Sequence, residues 1–150
     1  MVCLKRSFSR GNTGQSLRSG RVFRFVTARD FRMTTKFYGY EKCGTCRKAM
    51  KFLQAHGIDP SMIPIRAQPP LHAELNLMLA AYGGEVRRLF NTSGVDYKAM
   101  KLSKKLPAMS EANALALLAK NGNLVKRPFV IRDGKGIVGF DEAAWEKFFG

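Results

Sequence analysis

Apolar side chains recur at helical spacing in two segments of the first half of the chain. The first segment ends near Gly57, a natural helix stop, and its apolar positions are Cys46, Ala49, Met50 and Leu53. The second lies between Pro69-Pro70 and Gly83-Gly84, and its apolar positions are Leu71, Leu75, Met78, Leu79 and Tyr82. Both patterns predict helices that bury one face.

The second half of the chain holds further helix signals. Residues 86–90 predict a short helical turn, and the Asn-Thr-Ser-Gly run at 91–94 is turn-forming. Ser110 is a favourable N-cap for a helix that ends near Gly122. Asp141 caps a last helix, which closes the chain.

Four segments predict strands because they are short and rich in β-branched or aromatic residues: 36–40, 62–66, 128–132 and 137–140. Pro64 places the second strand at an edge or a bend. Asp133-Gly134 between the last two segments predicts a hairpin. The order of strands and helices indicates an α/β fold with a small mixed sheet.

The chain has 150 residues, enough for one ordinary domain and a tail, and a formal net charge of +15. Residues 1–32 hold eight basic residues and one acid, whereas residues 33–150 hold eighteen and ten. Three interpretations of residues 1–32 are open: sequence upstream of a domain that starts at Met33, an organelle transit peptide, or a functional basic arm. We expect residues 1–32 to be poorly ordered and residues 33–150 to form the domain.

Cys43-Gly-Thr-Cys46 is the main chemical motif, since a CxxC near a β-α-β pattern is typical of redox-active proteins. The N–H groups at a helix start stabilise thiolate over thiol, and Thr45 supplies one of them. Basic side chains add positive charge nearby: Lys42, Arg47 and Lys48. Cys43, the outer residue, is therefore the predicted nucleophile, and Cys46 is placed to resolve a mixed disulfide.

Two other uses of a CxxC pair are less well supported. A zinc site needs two more ligands, and Cys3, His56 and His72 show no ligand spacing. A structural disulfide framework is not expected from three cysteines, one of which lies in the basic segment. We therefore expect no metal.

Residues 36–49, KFYGYEKCGTCRKA, resemble the active-site segment of the arsenate reductase ArsC/Spx family. Other segments agree in order and spacing: Pro69-Pro70, LFNTSGVDY at 89–97, LVKRPFV at 124–130 and IVGF at 137–140. The resemblance covers residues 35–149 and implies a thioredoxin-like fold with an inserted helical subdomain. It also implies that Cys43 is the redox-active cysteine and that a cis peptide bond precedes Pro128.

In the family members that reduce arsenate through glutathione, three arginines surround the cysteine. Arg127 matches one of them, and its guanidinium suits an oxyanion or a carboxylate. The other two positions fall at Asn91 and near Gly139, which removes most of the charge complementarity that arsenate needs. Arg87-Arg88 lies close to Asn91 in the sequence and remains an open candidate for the missing positive charge.

These features predict a thiol–disulfide oxidoreductase in which Cys43 attacks an oxidised substrate and Cys46 releases the product. Arg127 is expected to bind an anion, with Asn91 and Thr92 in the same pocket. The alternative is a redox-responsive regulator that binds RNA polymerase without turnover, because the Spx branch of the family also carries a CxxC.

The expected partners are glutathione, as a co-substrate, and glutaredoxin or thioredoxin; no tightly bound cofactor and no membrane are expected. Lys98, Lys101 and Lys105 share one face if their segment is helical. A solvated face explains them better than nucleic acid, because no aromatic stacking pattern accompanies them. We expect a cytoplasmic monomer.

Overall fold

The first strand separates two hydrophobic clusters because its side chains alternate between the faces of the sheet. The computed structural model describes residues 34–150, and the predictions for residues 1–32 lie outside this range. In β1 (Thr35–Gly39), Phe37 belongs to one buried cluster and its neighbour Tyr38 to the other. The cysteine motif follows directly after this strand.

Residues 34–150 contain one mixed sheet of four strands in the order β2-β1-β3-β4. β2 (Met62–Pro64) runs parallel to β1 at one edge, which is where its proline is tolerated. β3 (Phe129–Arg132) is antiparallel to β1, and β4 (Lys135–Val138) completes a hairpin with β3. The hairpin is as predicted, although β4 starts two residues earlier.

Two helices cover one face of the sheet. α1 (Gly44–Ala55) follows β1, and the last helix, α6 (Glu142–Phe149), closes the chain. The cluster that they bury with the sheet consists of Phe37, Cys46, Ala49, Leu53, Val130, Ile137 and Trp145. Asp141 caps the last helix, as predicted, by accepting the Ala144 N–H at 2.9 Å.

The segment between β2 and β3 forms a helical subdomain on the other face. Its helices are α2 (His72–Ala81), α3 (Val95–Ala99), α4 (Leu102–Lys105) and α5 (Glu111–Lys120). Its 3-10 turns are Val86–Leu89, Leu106–Ala108 and Gly122–Leu124. Leu75, Met78 and Leu118 are fully buried in this second cluster. The predicted α/β architecture with an inserted helical part is confirmed.

The basic segment at 98–105 is not one continuous helix. Lys101 has a left-handed backbone conformation (φ 52°), so α3 ends before it and α4 begins after it. Lys98, Lys101 and Lys105 therefore do not share one helical face. The break lets Leu102 and Leu106 enter the core.

A buried carboxylate ties the helical subdomain to β1. At the start of α2, Glu74 accepts the Leu71 N–H at 2.8 Å, and its carboxylate also accepts hydrogen bonds from Lys36 Nζ and the Tyr38 hydroxyl, both at 2.7 Å. Burial raises the pKa of Glu74, but these two bonds and the Leu71 N–H outweigh it and hold the pKa below its ordinary value. Of the helices in residues 34–150, none is long and apolar enough to cross a membrane.

Candidate functional site

Cys43 lies at the junction of β1 and α1. The strand ends at Gly39, the chain turns, and the Cys43 N–H donates to the Tyr40 carbonyl at 2.9 Å. Cys43 is the N-cap residue of α1 with an extended backbone (φ −83°, ψ 117°), and its carbonyl accepts the Arg47 N–H at 3.1 Å. The thiol therefore stands at the open N–H groups of the first helical turn.

The Cys43 thiol is half-buried, and burial by itself raises its pKa. Hydrogen bonds from the Cys46 N–H, the Cys46 thiol and the Thr45 N–H, together with the positive charge of Arg127, outweigh burial. The pKa of Cys43 consequently lies below its ordinary value, which is the property that a nucleophilic thiol needs.

Cys46 has the opposite environment, one helical turn further on. Burial raises the pKa of Cys46 to about 12, and the hydrogen bond and charge of Cys43 act in the same direction. A backbone hydrogen bond from Tyr40 and the charge of Arg127 oppose this rise without reversing it. The two thiols thus form an asymmetric pair: Cys43 favours the thiolate and Cys46 retains its proton.

Arg127 precedes buried Pro128 across a cis peptide bond, as the resemblance implies. Its guanidinium carbon lies 5.6 Å from the centre of the Tyr40 ring, and that of Arg66 lies 4.3 Å from the same centre. Nη1 of Arg127 is buried and has no hydrogen-bond partner among residues 34–150. Two positive charges therefore flank the tyrosine that leads into the cysteine motif.

A cavity of about 300 Å³ adjoins these arginines; we call it the mixed-charge cavity, and its polar lining residues are Arg66, Asn91, Ser93, Asp96, Asn123 and Arg127. Oδ2 of Asp96 accepts hydrogen bonds from Asn121 Nδ2 and Asn123 Nδ2, both at 3.0 Å. These bonds and the charge of Arg66 hold the pKa of Asp96 below its ordinary value. The mixed-charge cavity is therefore lined by two cationic side chains, Arg66 and Arg127, and one anionic side chain, Asp96.

The structure places the other predicted site residues unevenly. Asn91 shares the mixed-charge cavity with Arg127. Thr92 lines a different cavity together with Arg87 and is not among the residues that line the mixed-charge cavity with Arg127. The Arg47 side chain is exposed, and within the described range it makes no hydrogen bond or ion pair.

The backbone at Gly139 does not suit an arginine. Gly139 has a positive φ of 72°, a region that favours glycine, and an added Cβ would lie 3.0 Å from Lys126 Cε. Its N–H donates to the Pro128 carbonyl at 2.8 Å, and its carbonyl accepts the Trp145 indole N–H at 2.9 Å. The loop is therefore built around glycine and supplies no charge to the site.

Four residues around Arg127 have no role in the predictions from the sequence: Tyr40, Arg66, Asp96 and Asn123. Tyr40 and Asp96 lie within the sequence motifs that carry the resemblance, and this membership is the signal that could have identified them. No pattern around Arg66 or Asn123 distinguishes them from surface residues. Among residues 34–150, no three His, Cys, Asp or Glu side chains are grouped so that they could hold a metal ion.

A model of the ArsC family matches residues 38–148. The Bacillus subtilis protein YusI is 44% identical over 115 residues, which cover 77% of this chain and 98% of YusI. The crystal structure of an ArsC family related protein from Bacteroides fragilis is 45% identical, covers 77% of this chain and 97% of that chain, and gives a TM-score of 0.71. The ArsC-like neighbours have the thioredoxin-like fold, which confirms the predicted fold class.

Relatives with stated functions fall into two groups. An arsenate reductase from Rhizobium meliloti is 31% identical over 99 residues, which cover 66% of this chain and 69% of that protein. The global transcriptional regulator Spx from Enterococcus faecalis is 28% identical over 111 residues, which cover 74% of this chain and 83% of that protein. Enzymes and regulators are thus both similar to this chain.

Proposed function

The chain belongs to the ArsC family, and from this premise we propose that it is a thiol–disulfide oxidoreductase whose nucleophile is Cys43. The observation that carries the proposal is the asymmetry of the two thiols. Cys43 has a lowered pKa at the helix start, whereas burial raises the pKa of its neighbour Cys46 to about 12. Cys43 is thus activated for nucleophilic attack, while Cys46 stays protonated until it resolves the mixed disulfide.

The proposed reaction has two exchange steps. The Cys43 thiolate attacks one sulfur of a disulfide RS–SR; the S–S bond breaks, RS⁻ leaves, and a Cys43–SR mixed disulfide forms. Cys46 then loses its proton to the departing thiolate or to water and attacks Cys43 Sγ, which expels the second RS⁻. The protein dithiol is oxidised by two electrons to a Cys43–Cys46 disulfide, and RS–SR is reduced to two thiols.

The surrounding residues have supporting roles in this proposal. The backbone N–H of Thr45 and the charge of Arg127 stabilise the Cys43 thiolate. Consumption of the Cys43 thiolate removes the negative charge that raises the pKa of Cys46, which eases the second step. Asn91 lines the substrate side of Arg127, Pro128 borders the site, and Arg47 adds an exposed positive charge near the motif.

The charge at the site favours a disulfide substrate over arsenate. A doubly charged oxyanion beside Arg66 and Arg127 would also face the ionised carboxylate of Asp96, and neither Asn91 nor Gly139 adds a third cation. A mixed disulfide of glutathione brings less negative charge. We therefore propose glutathione as co-substrate and glutaredoxin or thioredoxin as the protein that reduces the Cys43–Cys46 disulfide, in the reducing cytoplasm.

Single-turnover reaction with disulfides tests the proposal. Reduced protein is mixed with glutathione disulfide or with the uncharged bis(2-hydroxyethyl) disulfide, and the products are identified by mass spectrometry. We expect the wild type to form the Cys43–Cys46 disulfide, a Cys46→Ser variant to accumulate the mixed disulfide at Cys43, and a Cys43→Ser variant to form neither. Wild-type thiols that react no faster than those of the unfolded chain would refute the enzyme proposal.

A regulator is the second candidate, and the similarity to Spx is the observation that favours it. In that case the Cys43–Cys46 pair is a switch, and binding to RNA polymerase depends on its oxidation state. Purified RNA polymerase is passed over immobilised oxidised and reduced protein, with a Cys43→Ser/Cys46→Ser double variant as the control. Equal binding by the two states would exclude the switch.

A further inference from the structure

Asp96 is a preorganised hydrogen-bond acceptor in the mixed-charge cavity. Asn121 and Asn123 both donate to its Oδ2, which fixes the orientation of the carboxylate. Its Oδ1 has no hydrogen-bond partner in the described part of the chain, and the lowered pKa keeps the group ionised at neutral pH. A fixed carboxylate with one open oxygen is suited to a cationic or N–H group of a ligand.

The two arginines of the cavity have unused donors. Arg66 is held over the Tyr40 ring at 4.3 Å and lowers the pKa of Asp96 through its charge, yet these two residues form no ion pair within 4.0 Å. Nη1 of Arg127 is buried and has no acceptor within residues 34–150, which is a costly arrangement unless a ligand or water supplies one. Both guanidiniums are therefore available to an anionic group.

Close backbone packing holds Arg66 at this place. Gly122 lies against the Ile65 carbonyl and the Arg66 Cα, and the space between them does not admit a Cβ atom. Gly122 is followed by Asn123, which donates to Asp96. The contact thus places Arg66 beside the segment that contains Asn123, and Asn123 orients the Asp96 carboxylate.

We propose that Arg66 and Asp96 are specificity-determining residues that bind the α-amino-acid end of a low-molecular-weight disulfide. Asp96 takes the ammonium group, and Arg66 and Arg127 take the carboxylate. The inference rests on the proposed thiol–disulfide exchange, since Arg127 both lines the cavity and acts on the Cys43 thiol. A zwitterionic end group matches the two cations and one anion of the cavity, whereas a dianion would be repelled by the Asp96 carboxylate.

The test compares rate constants for disulfides that differ in their end groups. Glutathione disulfide has the free α-amino-acid end, its N-acetylated form lacks the ammonium charge, and bis(2-hydroxyethyl) disulfide has neither charge. For each protein, the rate constant of Cys43 is expressed relative to bis(2-hydroxyethyl) disulfide. We expect N-acetylation to lower the wild-type ratio about tenfold, as the loss of one charge-assisted hydrogen bond predicts.

Variants assign that selectivity to the two residues. Arg66→Gln and Asp96→Asn should each lower the glutathione ratio about tenfold, and N-acetylation should have no further effect in Asp96→Asn. Matched controls are Arg88→Gln, whose guanidinium lies 4.6 Å over the Tyr82 ring, and Asp59→Asn, an exposed carboxylate in another cavity. Both controls should keep the wild-type ratios.

The outcomes separate this inference from the proposed function. If wild-type Cys43 reacts with bis(2-hydroxyethyl) disulfide but N-acetylation leaves the glutathione ratio unchanged, the cavity does not read the amino group and the inference fails while the exchange reaction stands. The same conclusion follows if folded Arg66→Gln and Asp96→Asn keep the wild-type ratio. If Cys43 reacts with none of the disulfides, the proposed function itself fails.

Discussion

The interaction between the thiols of Cys43 and Cys46 helps to lower the pKa of Cys43 and adds to the rise that burial causes in the pKa of Cys46. Cys46 is fully buried and its raised pKa favours the thiol, so a negative charge on the pair is favoured on Cys43. The CxxC spacing produces this difference, because it sets one thiol at the helix start and the other one turn inside the core. The proposed order of attack, Cys43 before Cys46, therefore agrees with the geometry of the helix.

The charge of Arg127 contributes to the low pKa of Cys43, so Arg127→Gln should raise that pKa. Thiolate is the reactive form, and the alkylation rate of Cys43 by iodoacetamide rises with pH through the pKa. We expect the midpoint of this profile to move to higher pH in Arg127→Gln and the rate at pH 7 to fall. Arg88→Gln should leave the midpoint unchanged. An unmoved midpoint in Arg127→Gln would exclude the electrostatic role.

Local signals allowed most of the fold to be predicted from the sequence. Ser110 and Asp141 cap helices because a side-chain oxygen and the N–H groups that it accepts lie within one turn. Asp133 and Gly134 form the hairpin turn because both adopt the positive φ that this turn needs. The break at Lys101 was not predictable, since its left-handed backbone accompanies the burial of Leu102 and Leu106 in the tertiary core rather than any local preference.

The mixed-charge cavity depends on contacts between remote parts of the chain. Arg66 follows β2, Asp96 lies in α3 and Arg127 precedes β3, so no spacing in the sequence relates them. The cysteine motif could be predicted because both thiols and the N–H groups beside Cys43 lie at one helix start. The charge pattern of the mixed-charge cavity could not be predicted, because tertiary packing brings its three charged residues together.

Loss of the Glu74 carboxylate should destabilise the junction between β1 and α2. Glu74→Gln keeps the shape of the side chain but weakens the hydrogen bonds with Lys36 and Tyr38, and we expect a loss of about 2 kcal/mol in the free energy of unfolding at pH 7. The folded-state pKa of Glu74 is depressed, so its stabilisation is present above the unfolded-state pKa and disappears as pH falls through the folded-state pKa.

Denaturant unfolding measured from pH 7 down to acidic pH checks this expectation for Glu74. The difference between wild type and Glu74→Gln should shrink as the pH falls. Glu85→Gln is the control, since Glu85 pairs with Arg88 on the surface at 3.7 Å and should contribute less than about 0.5 kcal/mol. A Glu74→Gln effect equal to that of Glu85→Gln would show that the buried carboxylate does not tie the two parts together.

Restoring an arginine at Gly139 should harm the protein rather than improve anion binding. Gly139→Arg forces a side chain into a left-handed backbone position close to Lys126, and we expect the free energy of unfolding to fall by about 1–2 kcal/mol. Gly134→Arg has the same φ of 72° with open space around it and controls for backbone strain alone. Thermal unfolding measures both; an unchanged Gly139→Arg midpoint would contradict the argument.

Gly122 should prove essential for the position of Arg66. In Gly122→Ala the new methyl group meets the Ile65 carbonyl, which is backbone and cannot rotate away, so we expect a loss of about 1–3 kcal/mol in stability. The displaced Arg66 should also lower the ratio of glutathione disulfide to bis(2-hydroxyethyl) disulfide rates, as Arg66→Gln does. Gly44→Ala, with no atom within 4 Å of its added Cβ, is the stability control. A Gly122→Ala protein with the wild-type stability and the wild-type ratio of disulfide rates would show that this packing does not position Arg66.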